Sequence, residues 1–201
     1  MFRTGRYLAA VAALALAIPA GAQGYSDSFN FLKAVRERDG TKATELVSQP
    51  GTAVINLRDQ GSGEAALHIV TKGRDYTWLS FLLGKGARPD IQNNSGETPL
   101  AIAAQLGWTD GAELLLGRGA NVDLPNSRGE TPLIMAVHNR DVPMVRLLLS
   151  HGANPKKVDH VAGYSALDYA KQDNRAQPIV KILEGTTGAP ARPAAGPKLN
   201  F

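Results

Sequence analysis

The chain has 201 residues, 43% of them hydrophobic and 20% charged, with a formal net charge of +4 and no cysteine. That length suits one domain with its own core, and the missing cysteines exclude a disulfide framework, a thiolate metal site and a lipid-carrying cysteine. The positive balance is a weak argument for a nucleic-acid partner. Two of the cations, Arg3 and Arg6, lie at the extreme start, and no basic run of the kind that follows a phosphate backbone occurs.

Residues 1–22 read as a secretory signal peptide. Arg3 and Arg6 precede an apolar run from Tyr7 to Ile18, which gives way to Pro19-Ala20-Gly21-Ala22. A charged start, a short apolar stretch and an Ala-x-Ala site are the signature of export with cleavage. The run is too short for a comfortable membrane span. Cleavage after Ala22 leaves Gln23 first, with no membrane span in the processed chain. Residues 23–58 carry Phe31-Leu32, Ala34-Val35, Asp39 and Leu46-Val47. That spacing predicts a degenerate amino-terminal helix pair, its second helix starting at Asp39, followed by a loop to Arg58.

A repeat occupies residues 59–185. Gly63-Glu64-Ala65-Ala66-Leu67 returns as Gly96-Glu97-Thr98-Pro99-Leu100, Gly129-Glu130-Thr131-Pro132-Leu133 and Gly163-Tyr164-Ser165-Ala166-Leu167. Gly86-Ala87, Gly119-Ala120 and Gly152-Ala153 keep step with it. A fixed period of this size means a stacked repeat architecture. The polar stretches before the first glycines are turn chemistry. Thr98 and Thr131 are placed as helix N-caps, with Pro99 and Pro132 at the first helical position, where a missing N–H costs nothing. Small residues (Ala101, Ala103, Ala104, Ala136) mark a first helix that lets neighbours approach. A leucine ridge (Leu79, Leu82, Leu83; Leu114, Leu115, Leu116; Leu147, Leu148, Leu149) marks a second helix, started by Asp75 and Asp141 and ended by the second set of glycines. Beyond Gly185, residues 186–201 are dominated by Pro, Ala and Gly and read as a disordered tail.

The Gly-x-Thr-Pro-Leu and Leu-Leu-x-x-Gly-Ala blocks resemble the ankyrin repeat. The resemblance implies an all-α solenoid of about five helix pairs with β-hairpin fingers. Repeat one departs from it in having Ala65-Ala66 for Thr-Pro, and only His68 keeps the family's inner-helix histidine. The fourth unit ends at Ile182-Leu183-Glu184-Gly185, as a capping unit should.

Chemistry is hard to find in the remaining residues. The four histidines (His68, His138, His151, His160) fall at no metal-ligand spacing. There is no nucleophile elbow, phosphate loop or dinucleotide fingerprint. No catalytic, cofactor-binding or metal-binding residue is assigned. The resemblance instead implies a concave strip of finger tips and first-helix faces that docks a protein. The residues free for that role are Glu64, Asn94, Glu97, Arg128, Glu130 and Tyr164 on the fingers, and Lys72, Gln105, Leu106, His138 and Asn139 on the first helices. Trp108, at the start of a second helix, is expected to be partly exposed and has two readings: an anchor, because Trp is enriched at hot spots, or a ring folded back over the neighbouring helix pair. Trp78 is expected in the core. The function so implied is an exported, monomeric interaction scaffold in a bacterial periplasm, presenting its concave surface to an envelope protein. A secreted effector, with the exterior as its location, and a ligand-binding or enzymatic protein with a site in the groove are the competing readings.

Overall fold

The computed structural model describes residues 20–48 and 54–187, and these are mostly helical. Five helix pairs follow one another: α1 (Ala20–Glu37) with α2 (Gly40–Val47), α3 (Ala66–Lys72) with α4 (Tyr76–Gly84), α5 (Pro99–Leu106) with α6 (Thr109–Gly117), α7 (Pro132–His138) with α8 (Val142–Ser150), and α9 (Ala166–Gln172) with α10 (Gln177–Thr187). The odd-numbered helices stack as an inner row, and α4, α6, α8 and α10 stack behind them. α2 packs on α1 and on the 3-10 turn Val54–Asn56. No described helix is long and apolar enough to cross a membrane.

Helices of seven to nine residues are marginal alone, so caps and packing must hold them. Thr98 Oγ1 accepts from the Ala101 amide at 3.1 Å and Thr131 Oγ1 from that of Ile134 at 3.3 Å, with Pro99 and Pro132 in the first turn. Asp39, Asp75 and Asp141 cap the second helices through the amides of Lys42, Trp78 and Met144. Repeat one has no capping side chain at Ala65. There His68 reaches back, and its Nδ1 accepts the Ala65 amide at 3.0 Å. The core is the continuous seam between the rows. Leu82, Leu115 and Leu148, one position in three successive repeats, are all fully buried, as are Leu100 and Leu133 on the inner helices.

The fingers differ from the hairpins expected of them. Among the described residues there is no strand, only isolated antiparallel bridges from Arg58 to Ala65 and from Val158 to Ser165. The fingers are tight turns closed by a pair of backbone bonds, Asn93 amide to Glu97 carbonyl with Gly96 amide to Asn93 carbonyl, and Asn126 amide to Glu130 carbonyl with Gly129 amide to Asn126 carbonyl, at 2.9–3.0 Å. Arms this short leave no room for a ladder. At the amino end, residues 1–19 of the expected signal peptide lie outside the described residues, while Ala20, Gly21 and Ala22 form the start of α1. At the other end α10 continues through Thr187, two residues past the expected boundary at Gly185. The rest of the expected disordered tail, 188–201, lies outside the described residues.

Candidate docking surface

Each finger is organised by one side chain: Asp59, Asn93, Asn126 and Asp159. Asn93 Oδ1 accepts from the amides of Ser95 and Glu97, and Asn126 Oδ1 from those of Arg128 and Glu130, at 2.9–3.0 Å. Their amide nitrogens then donate to the carboxylates of Glu97 (2.8 Å) and Glu130 (2.7 Å). This accounts for Glu97 and Glu130, two of the three finger glutamates: each locks its own turn. Arg128 adds a second partner to Glu130, with Nη2 2.7 Å from the carboxylate. An Asp at this position would face Glu with like charge. Where Asp59 stands, Glu64 turns instead to Lys72. Where Asp159 stands, Tyr164 replaces the glutamate.

Asp159 is nearly fully buried and the most heavily engaged of the four. Oδ1 accepts from the amides of Val161 (2.6 Å) and Ala162 (2.7 Å), and Oδ2 from that of Tyr164 (3.3 Å) and the Tyr169 hydroxyl (2.8 Å). Burial alone would raise its pKa. These donors outweigh burial and hold it at about 2. The same bond, with burial, pushes Tyr169 up to about 12. The Tyr169 ring meets His138 edge-on at 4.4 Å and Tyr164 at 5.5 Å. His138 is exposed and Tyr164 is 41% exposed. Four of the expected residues (Arg128, Glu130, His138, Tyr164) thus gather around Tyr169, which the sequence reading did not single out. The available signal was an aromatic residue on α9 where the other inner helices carry Ile69, Ile102 and Met135.

Other expected site residues have structural duties. Asn94 bonds back to finger one, its amide to the Ser62 carbonyl and its side chain to that of Gly61. Asn139 Nδ2 donates to the Gln105 carbonyl at 2.7 Å. Leu106 is half-buried, and its carbonyl accepts from Arg74. The Gln105 side chain is exposed.

Trp108 is buried, at 8% exposure, in keeping with the folded-back reading and against partial exposure as an anchor. The cause is Gly111, where a Cβ would overlap the indole, so the ring packs against the start of α6 in the space that the missing side chain leaves. Trp78 is only partly buried: Leu79, Leu82 and Leu83 are the buried residues of α4, and Trp78 packs at the edge of the core against Phe81, ring centroids 5.6 Å apart.

Three arginines that went unnoticed join successive repeats. Arg38, Arg74 and Arg140 sit between the helices of a pair with φ of 57°, 49° and 54°, a region unusual for non-glycine residues. From there each reaches into the next repeat: Arg38 to Asp75 and Arg140 to Asp173 at 2.7 Å, and Arg74 to the Leu106 carbonyl. The recurring Arg-Asp pairs at 38–39, 74–75 and 140–141 were the legible sign. His68 makes a further link. Because Nδ1 accepts from Ala65, Nε2 carries the proton and donates to the Glu97 carbonyl at 3.0 Å.

A family model described as ankyrin repeats (3 copies) matches residues 24–126 and 111–189. A stretch of 52 residues is 35% identical to the nuclear factor NF-kappa-B p110 subunit of Drosophila melanogaster, covering 26% of this chain and 5% of that protein.

Proposed function

This chain belongs to the ankyrin-repeat family, and from that premise we propose that it is an exported scaffold holding a protein of the bacterial envelope. The observation that carries this is the His138–Tyr169–Tyr164 cluster with the Arg128–Glu130 pair beside it. It is the one group of expected docking residues whose exposed aromatic surface is not consumed by holding a turn or a cap. Aromatic rings fixed by their neighbours lose little freedom on binding, which favours affinity. The export half of the proposal rests on Arg3, Arg6, the apolar run and Ala20-Gly21-Ala22.

The test is crosslinked affinity purification of the protein from intact envelopes, with amino-terminal sequencing of the recovered chain. The chain should start at Gln23, and one specific protein should come down with it. His138→Ala with Tyr164→Ala should weaken a purified partner's binding by roughly tenfold or more, as truncated hot spots do. Arg146→Glu, on the exposed side of α8, should leave it unchanged. Recovery of an unprocessed chain would sink the export reading. Loss of binding with Arg146→Glu alone would move the docking surface to the outer helices. Separate assay of periplasm and medium decides between an envelope scaffold and a protein released to the exterior.

A further inference from the structure

Ladders of hydrogen bonds run from repeat to repeat, two of them as far as the fourth finger, and none continues beyond it among the described residues. In the first, the carbonyls of Ser62, Ser95 and Arg128 accept from the amides of Asn94, Ser127 and His160 in the next finger, at 3.0, 3.0 and 2.7 Å. The equivalent carbonyl in finger four is that of Ala162, which has no partner among the described residues. In the second, Asn56, Asp90 and Asp123 each accept, through Oδ1, the amide of Arg88, Asn121 or Asn154 one repeat on, at 2.8–2.9 Å. The next position in that series is Lys156, where a cation replaces the acceptor. In the third, Arg58 donates to the Gln92 carbonyl and Gln92 to that of Pro125. This ladder already ends at Pro125, which has no side chain to donate, and the next position in the register is Val158.

The glycines show the same break. A Cβ on Gly96 would lie 2.6 Å from the Ser127 nitrogen, and one on Gly129 would lie 2.6 Å from that of His160, because the next finger is pressed against them. Around Gly163, whose φ of 69° is left-handed too, no described residue lies within 4 Å of such a Cβ. The first finger is not left open in this way, since α1 extends beside it and Ser28 Oγ donates to the Arg58 carbonyl. On finger four the open face carries Val158 at 50% and Val161 at 76% exposure. Such apolar exposure is costly at a tip where the other fingers carry Ser62, Asn94, Ser95 and Ser127.

We propose that this face of finger four is a second docking site, and that it takes an acidic, extended segment of a partner protein. The Ala162 carbonyl receives a main-chain N–H, Val158 and Val161 receive an aliphatic side chain, and Lys156 receives a carboxylate. Main-chain bonding supplies affinity, and the side chains beside it supply selectivity, as in other edge-addition complexes. The charge decides the kind of occupant. A further repeat of this chain's own pattern would bring an amide to Lys156, where it finds an ammonium and no acceptor. A carboxylate there gains a charge-assisted partner. The site shares Asp159 with the His138–Tyr169–Tyr164 cluster but would bind through Lys156, Val158, Val161 and the Ala162 carbonyl, so exposed-residue variants of each can be read separately.

The test is selection of random twelve-residue peptides, displayed on phage, against the whole protein. The winning peptides are then synthesised, and their affinity is measured for wild type, Lys156→Glu, Val161→Asp and His138→Ala. Val161 and Lys156 are exposed, so circular dichroism should report unchanged folds. The expected consensus places Asp or Glu next to an aliphatic residue. Affinity should fall tenfold or more with Lys156→Glu and with Val161→Asp, stay level with His138→Ala, and recover when Lys156→Glu meets the peptide whose acid is changed to Lys. A consensus without acids, an absence of enrichment, or indifference to both finger-four variants overturns the proposal. So does sensitivity to His138→Ala alone, which would return the peptides to the inner-helix cluster. If Val161→Asp instead abolishes self-association in sedimentation, the face binds a second copy and the proposal is wrong.

Discussion

At the scale of single residues, His68 and Asp159 do for their repeats what Thr-Pro and Asn-Glu do elsewhere, and both make the fold sensitive to acid. Burial holds His68 below its usual 6.5, outweighing the Glu97 carbonyl and the Glu64 charge that work the other way. A folded pKa below the unfolded one means that the unfolded chain binds the extra proton. His68 therefore contributes in full above pH 6.5, and its contribution is lost as pH falls from there through the folded value. Asp159, held at about 2 against an ordinary 3.8, behaves likewise lower down, and its contribution disappears between those two values. Melting temperature measured against pH should show an upper decline starting near 6.5 and a second loss below about 4. In His68→Gln the upper decline should vanish and the lower one remain. A wild type whose stability is flat from pH 7 to 5 would contradict the buried, neutral imidazole.

At the scale of elements, the ridge and the clasps are expected to differ sharply in weight. Leu148 is fully buried between α8 and its neighbours, so Leu148→Ala leaves a cavity and should cost ~2–5 kcal/mol. Arg140 meets Asp173 at 2.7 Å, but both side chains stay in partial contact with water. Arg140→Ala should therefore cost less than about 1 kcal/mol. Urea denaturation of the two variants reads both values, and an Arg140→Ala loss equal to that of Leu148→Ala would mean that the clasps, not the ridge, hold the stack. The helices themselves were legible because their caps are local. A Thr-Pro or Asp at the start and a glycine after the end act within one turn of the residues that carry them. The burial of Trp108 was less legible, since it turns on a glycine three residues away whose role is simply to be absent as a side chain.

At the scale of the whole molecule, each repeat touches only its neighbours, so stability is a sum of local terms and interfaces. α9 and α10 have a stacking partner on one side only among the described residues, whereas α5 and α7 have one on both. Hydrogen exchange should accordingly be faster in α9 and α10 than in α5 and α7, with the amides of finger four among the quickest. Uniform protection along the chain would indicate a single cooperative unit instead.

The sequence by itself determined the repeat, its period, its caps and the number of helix pairs, because periodic packing writes the same requirement at the same place every time. Only the tertiary structure decided which of the remaining residues are free, because a side chain's availability depends on what the next repeat brings to it. Glu97 and Glu130 are taken up by their own asparagines, Trp108 by Gly111, and Asn139 by the end of α5. Tyr169, hidden in the pattern as an ordinary inner-helix residue, becomes the centre of the surface. Finger four could not be told from its predecessors by its glycine, since Gly163 matches Gly129 in sequence register and in φ. What separates them is that, among the described residues, one has a neighbour and the other has none, and contact of that kind exists only in three dimensions.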